Sequence, residues 1–400
     1  MKAKILLFFT VFVLPITPLV FSSPIYSPTW GFSLDLPEGY EYTGGDGKNR
    51  FSFANAEGAE FDAVVYHTGQ GATSLYTSVE ALAMDVQRRL NNRGDVDSFE
   101  YRGKKAFILE LSFLGAEAGS YLMEGWALCL ELGIPNSEAG KSNAGAEGIP
   151  SNAPLLLAMA YGPAGIAGLE LLHFSALDSI APEEGDKLAP GPITEFAYPR
   201  INRAQEKIFG LEINALLYKE DAEAAQALVD REFQVLRRYE NAPNWQEAWI
   251  RFYRAIYRDS FDRLSDIAFQ VERKLNVPPR QDREFADKAL QWVQSFSYER
   301  DLLGSDFQNL VTAATEGRGD CDSRAMLWAI VLKHADINSA IMVSRHYSHA
   351  MGLADLPGAG ARFEVDGQKL LVAETTATVS IGLIGETVSD VEYWLGISFD

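Results

Sequence analysis

The sequence predicts an α+β protein, with antiparallel strands at the start, helices in the middle, and a helix followed by antiparallel strands at the end. Three observations carry that expectation. Residues 26–180 alternate short β-type runs with well-separated helical patterns, and residues 201–276 repeat apolar and aromatic side chains at helical spacing. Residues 317–328, Gly-Arg-Gly-Asp-Cys-Asp-Ser-Arg-Ala-Met-Leu-Trp, set a cysteine between a glycine turn and an apolar helical pattern. With 400 residues, 47% of them hydrophobic, the chain is long enough for two or three domains with sizeable cores.

The first 22 residues read as a secretory signal. Lys2 and Lys4 precede an apolar stretch from Ile5 to Phe21, and cleavage is expected after Ser22, because Pro24 would otherwise open the mature chain. An uncleaved anchor is the alternative, and Pro15 and Pro18 count against a long spanning helix. The expected location is therefore periplasmic or extracellular, with no stable membrane insertion after cleavage. A net charge of −20 excludes nucleic acid or an anionic membrane surface as the main partner, since a polyanion is repelled. Only Cys129 and Cys321 are present. An oxidising compartment allows them to pair, but one disulfide is a thin framework for a chain with this much core. No cysteine–histidine spacing suits zinc, and no cofactor or metal site is expected.

In chain order, 31–37, 50–53 and 61–66 read as strands, with a glycine-rich turn around Gly44, Gly45 and Gly47. Ser78 caps a helix carrying Leu82, Val86 and Leu90, and a meander follows over 98–101, 106–113, 121–132 and 155–161. Residues 133–152 form a Gly/Ser/Asn-rich loop, and 171–180 form a closing helix. His173, among Leu171, Leu172 and Phe174, is expected to be a packed structural histidine, and His67 to end a strand facing solvent. The opening "GFSLDLPEGY", the meander and the closing "LLHFSALDSI" resemble the PsbP-like α/β sandwich family, whose photosynthetic members attach to photosystem II. That resemblance covers residues 26–182 and implies a binding or accessory module.

A proline-rich linker is expected at 183–200 and a helical region at 201–276. Its best part has an aromatic and apolar stripe, including Trp245, Trp249, Phe252, Tyr253 and Ile256, which reads as core. The opposite face, with Arg251, Arg254, Arg258, Asp262, Arg263 and Asp266, reads as solvated and salt-bridged. The last domain is expected over 277–400, with a hairpin across Asp366-Gly367.

A thiol at a helix N-terminus lies at the positive end of the helix dipole, which favours the nucleophilic thiolate. Acyl transfer by Cys321 needs a base nearby and a group that holds that base in one tautomer. His334 sits thirteen residues along the same helix, about 20 Å away, and cannot reach. His346 and His349 would face opposite sides of a continuous strand, so only one can meet the cysteine. His349, followed by Ala350 and Met351, suits a sheet packed on the cysteine helix. For the orienting acid, Glu374 at the end of Leu370-Leu371-Val372-Ala373 is preferred to Asp366 in a turn, exposed Glu364 and loop Asp355.

The order Gly-x-Gly-Asp-Cys-Asp, then Ser-His-Ala, then an acid at a strand end, resembles the transglutaminase-like superfamily, which includes papain-like bacterial cysteine peptidases. The similarity extends over residues 282–399. It implies Cys321 as nucleophile, His349 as general base and then acid, and Glu374 as orienter, in a cysteine peptidase or acyl transferase acting on protein or peptide. Many members carry Asp in the third position, where this chain has Glu. Asp320 and Asp322 read as helix-capping acids; by the same resemblance, acids beside the cysteine bind calcium in some bacterial members. A catalytically inactive envelope protein with the same fold, acting as a binding or scaffold module, is the second function class.

Overall fold

The computed structural model describes residues 24–67, 76–115, 121–133, 153–300 and 305–399. The expected signal segment, and all but the first residue of the loop expected at 133–152, lie outside them. The fold is α+β, with antiparallel sheets and separate helices.

Strand β1 (Ile25–Tyr26) pairs with β2 (Ser33–Leu34). A seven-stranded antiparallel sheet follows, made of β3 (Glu41–Gly45), β4 (Arg50–Ala54), β5 (Glu60–Tyr66), β6 (Val96–Tyr101), β7 (Lys104–Leu114), β8 (Leu122–Glu131) and β9 (Leu155–Pro163). Its order is β3-β4-β5-β9-β8-β7-β6. The sequence reading took part of β3 for turn. It is an edge strand whose register shifts between Tyr42 and Gly44, and an edge tolerates such a bulge. Helix α1 (Val79–Arg89), capped by the Ser78 hydroxyl, covers one face of the sheet, and α2 (Leu169–Asp178) covers the other. Alternation along the strands serves both faces: Leu109, Cys129 and Leu157 cluster with α1, while Ile108, Leu128 and Leu156 cluster with α2. Cys129 is therefore a core residue, free and buried like Cys321. His173 is buried in α2, and burial pushes its imidazole down to about 4. His67 is half-buried, its ring 4.8 Å from that of Trp30.

The proline-rich stretch does not run free. It holds a 3-10 turn at Glu184–Leu188 and helix α3 (Pro192–Ala197), whose Ile193 joins the core of the first sheet. Residues 203–218, expected to be helical, form instead a hairpin of β10 (Arg203–Ile208) and β11 (Ile213–Tyr218). The reason is local: Ala215 and Leu217, two apart, are buried between exposed neighbours, the period of a strand.

Helices α4 (Asp221–Arg237), α5 (Trp245–Arg263), α6 (Ser265–Leu275) and α7 (Asp282–Gln294) come next. Strand β12 (Ser297–Tyr298), helix α8 (Leu310–Glu316), strand β13 (Arg318–Gly319) and helix α9 (Cys321–His334) lead to the second sheet. That sheet contains β14 (Ser339–Ser344), β15 (His349–Ala354), β16 (Arg362–Val365), β17 (Gln368–Ala373) and β18 (Leu395–Ile397), in the order β16-β17-β15-β14-β18. Asp366 (φ +48°) and Gly367 (φ +78°) make the expected turn between β16 and β17. One hydrophobic cluster runs from Ile208 to Ile397, so the hairpin and middle helices share a core with the closing sheet. Residues 325–332 of α9 are apolar on all sides and buried, as such a run has to be. It lies tight on β15, where a Cβ at Gly352 would meet the Trp328 indole at 2.5 Å.

The basic face of α5 is not solvated. Arg251 is buried and donates to the Asp35 carbonyl (2.8 Å), the Ser175 hydroxyl (2.6 Å) and the Glu232 carboxylate (2.8 Å). Arg254 pairs with Asp35, and Arg258 donates to the carbonyls of Asp178 (2.9 Å) and Ile180 (2.7 Å). Arg263 is buried between Asp259 and Asp221. The Arg251, Arg254 and Arg258 contacts fasten α2, the residues just after it, and the segment after β2 to α5. The sequence could not show this burial, because the partners of Arg251, Arg254 and Arg258 lie up to 219 residues away. Among the described residues, no helix is long and apolar enough to cross a membrane. Arg251→Ala, which strands Glu232 without its main counter-charge, is expected to cost ~3–5 kcal/mol. Denaturant unfolding of the full chain checks this, and a loss below about 1 kcal/mol contradicts the assigned role.

Candidate active site

The cysteine turn is built by several independent constraints. Gly317 ends α8 in the left-handed region (φ +66°), and a Cβ there would strike the Phe209 ring. Gly319 has no such backbone angle; a Cβ there would lie 2.5 Å from the Ser323 hydroxyl. Strands β12 and β13 pair in parallel and hold the turn against the exit of α7, with Ser297 N–H on the Gly317 carbonyl at 2.8 Å. Arg324, buried in α9, donates to the carbonyls of Gly319 (3.2 Å) and Phe296 (2.8 Å). Sequence reasoning passed over this residue, although an arginine opening an unbroken apolar helical run signals a buried cation needing acceptors.

Asp320 caps α9, its Oδ1 accepting from the Ser323 N–H and hydroxyl, both at 2.7 Å. Its Oδ2 is buried and accepts no hydrogen bond from the described residues. Cys321 follows at the first helical position and is 6% exposed. Burial pushes the Cys321 thiol up, and the acids Asp322 and Asp320 push it further; the N–H groups of Ala350 and of Cys321 itself work the other way. Asp322 accepts from the Tyr253 hydroxyl at 3.0 Å. Burial raises the carboxyls of both acids, and in Asp320 the neighbouring Asp322 adds to it.

His349 opens β15, and Nε2 lies 2.7 Å from Glu374 Oε2. Glu374 directly follows β17, and its Oε1 accepts from the Thr376 N–H (2.7 Å) and hydroxyl (2.6 Å). Gln294 grips the same loop from α7, donating to the carbonyls of Glu374 (2.8 Å) and Val379 (2.9 Å). Burial alone would raise the Glu374 carboxyl, but the His349 and Thr376 donors outweigh it and hold it below the usual glutamate range. An ionised carboxylate only accepts, so Nε2 carries a proton and directs it at Glu374.

Cys321, His349 and Asp322 share one cavity of ≈480 Å³, roofed by Trp245, Trp249 and Tyr253 of α5. Phe252, Tyr253 and Ile256 of the aromatic stripe join the core as expected, whereas Trp245 and Trp249 are half-buried and line open space. Strand parity does not explain the choice of histidine. His346 lies in the turn between β14 and β15 and stacks on Tyr393 at 4.1 Å, so no continuous strand joins the two histidines. His334 stacks on Phe261 at 4.0 Å and bonds its carbonyl; Asp355 and Glu364 are exposed, and Asp366 accepts from Ser398. Among the described residues, no group of three or more His, Cys, Asp or Glu is placed to hold a metal ion.

No family model matches the chain, and no curated protein matches it. Twelve solved chains are similar, among them two at low identity. One, from Bacteroides thetaiotaomicron VPI-5482, is 11% identical, covers 59% of this chain and 78% of its own, and has a TM-score of 0.21. The other, from Parabacteroides distasonis ATCC 8503 and provisionally described as a protease, is 10% identical, covers 82% and 69%, and also has a TM-score of 0.21. At that TM-score neither carries an argument about fold or chemistry.

The depressed Glu374 carboxyl contributes stability that is present above the unfolded-state pKa and lost as pH falls through the folded one. Glu374→Gln is therefore expected to be less stable than wild type by roughly 1–3 kcal/mol at neutral pH, with the gap narrowing towards about pH 3. Denaturant titrations across that range check it; a gap independent of pH contradicts it.

Proposed function

We propose that this protein is an exported, cysteine-dependent acyl-transfer enzyme of the transglutaminase-like superfamily, acting as a peptidase or amidohydrolase on protein or peptide. The observation that carries the reading is the His349–Glu374 pair at 2.7 Å, with His349 lining the same cavity as Cys321. In this reading Nδ1 takes the Cys321 proton and the thiolate attacks the substrate carbonyl, forming a C–S bond. The carbonyl oxygen becomes an oxyanion, which the Cys321 backbone N–H at the start of α9 is suited to receive. The imidazolium then returns its proton to the leaving nitrogen as the C–N bond breaks. Water, deprotonated by the same nitrogen, resolves the acyl-enzyme and restores the thiol. Glu374 holds the ring in the Nε2–H tautomer throughout.

The first sheet, with helices on both faces, supports reading residues 26–182 as a PsbP-like module joined to the enzyme part. Residues 1–22 are proposed as its export signal. A non-catalytic binding role is the second reading, and the burial and acids that push the Cys321 thiol up favour it.

A thiol-directed probe separates the two. Iodoacetamide is expected to label Cys321, which lines the cavity, in wild type at neutral pH and nothing in Cys321→Ala, since Cys129 is wholly buried in the core of the first sheet. His349→Ala is expected to slow labelling roughly tenfold or more at pH 7 and to restore it only in alkali. Unreactive Cys321 at neutral pH sinks the enzyme reading. Asp322→Asn, which removes an acid that pushes the thiol up, is expected to move the labelling profile of wild type to lower pH. An unchanged profile would mean that Asp322 is electrically silent toward the sulfur.

A further inference from the structure

A second cavity of ≈340 Å³ adjoins the first and shares four wall residues with it: Trp245, Trp249, Val343 and Arg345. Tyr393 and Trp394 supply the far wall. The rings are fixed before anything binds. Trp245 and Trp249 meet edge to face at 5.7 Å, Tyr393 is stacked on His346, and the Trp394 indole N–H donates to the Val388 carbonyl at 2.9 Å. Yet Trp245 and Trp249 are only half-buried, and Tyr393 is 46% exposed. Pre-set rings around open space, bordering a candidate nucleophile, are a binding feature rather than unfinished core.

The charges around the cavity narrow its ligand. An aromatic cage ordinarily suits a cation, but the Arg345 guanidinium already lies over Trp245 at 5.8 Å from its centroid. It is held there by the Glu240 carbonyl (3.1 Å) and carboxylate (3.8 Å), and it borders both cavities, so a second cation is repelled. Glu392 on the lining disfavours an anion in the same way. A neutral ring remains, because it can meet these walls edge to face or offset-stacked.

We propose that this second cavity is a specificity subsite that receives a neutral aromatic side chain of the same peptide whose acyl carbon lies at Cys321. Arg345 is then the partition that the peptide backbone crosses between the two spaces. The inference rests on the peptide-directed reading of the Cys321 site.

The test uses the full chain carrying Cys321→Ala, so that binding is read without chemistry. Blocked tripeptide amides Ala-Ala-Ala, with Phe, Tyr, Trp, Lys or Glu placed at each position in turn, are titrated calorimetrically. At one position the aromatic peptides are expected to bind about tenfold or more tighter than the Ala, Lys and Glu analogues. Gln246→Trp, an exposed rim residue enlarged to fill the space, and Tyr393→Ala, which removes a wall, are each expected to abolish that preference without changing the thermal midpoint. In wild type the same aromatic peptide is expected to slow iodoacetamide labelling of Cys321, while the alanine peptide at equal concentration does not. No aromatic preference at any position, a preference that survives Gln246→Trp, or tight aromatic binding that leaves labelling unslowed would overturn the proposal. Should Cys321 resist labelling altogether, the enzyme reading falls, and the titration still decides the subsite on its own.

Discussion

The position of α5 is set by a buried guanidinium, and the geometry of the cavity follows from it. Arg251 is 3% exposed and spends its donors on Asp35, Ser175 and Glu232. Removing a guanidinium and a carboxylate from water is costly, and only close pairing with every remaining donor satisfied makes it tolerable. Glu232 meets that demand from the other side, accepting also from Ser175 (2.7 Å) and Arg231 (2.9 Å). So many directional bonds fix the rotation of α5 about its own axis. Because α5 is one rigid element, its other face is fixed as well, placing Trp245, Trp249 and Tyr253 over the cavity and the Tyr253 hydroxyl on Asp322. The N-terminal sheet thus bears on the electrostatics beside Cys321 through a single helix.

Those electrostatics are finely balanced. Burial opposes a Cys321 thiolate, and so does each ionised acid beside it. An opposite charge about 4 Å away is worth ~4 kcal/mol at a surface-like effective dielectric, which is about three pKa units. One imidazolium therefore offsets one carboxylate and leaves little for a second. The raised carboxyl of Asp320 matters for that reason: a neutral Asp320 still caps α9 through Oδ1 but no longer repels the sulfur. Arg324, whose guanidinium is tied to the Gly319 and Phe296 carbonyls behind the turn, adds positive potential from the protein side. Any thiolate at Cys321 depends on these offsets.

What the sequence made legible was what local pattern determines. Ser78 capping α1, the meander of β6 to β9, the Asp366-Gly367 turn and the helix opening at Cys321 all follow from spacing and residue type within a few positions. What escaped depends on distant partners. The arginines of α5 look solvated until Asp35 and α2 cover them, and Trp245 and Trp249 look like core until the cavity stands open beneath them. His349 was chosen by strand parity, but His346 stands in a turn where parity has no meaning. The two histidines are told apart instead by what their rings meet: Tyr393 for one, Glu374 for the other. Arg324 is legible in principle, as a charge beside an apolar helical run, but its acceptors, the Gly319 and Phe296 carbonyls, are set by the fold.

Glu374 shows how the longer of two acidic side chains can hold an imidazole in one orientation. A glutamate has one more rotatable bond than an aspartate, and free rotation would smear the position of its oxygens. Here that freedom is removed from behind. Thr376 holds Oε1 with two donors, and Gln294 holds the backbone carbonyl of Glu374 while bridging to Val379. Oε2 is left with one direction to face, and His349 occupies it at 2.7 Å. On its other side the His349 ring has the Trp394 indole at 6.2 Å, tilted edge to face, which bounds the swing of the imidazole. Orientation of the imidazole is therefore a property of five residues rather than of one acid, and the extra methylene is absorbed by its anchors.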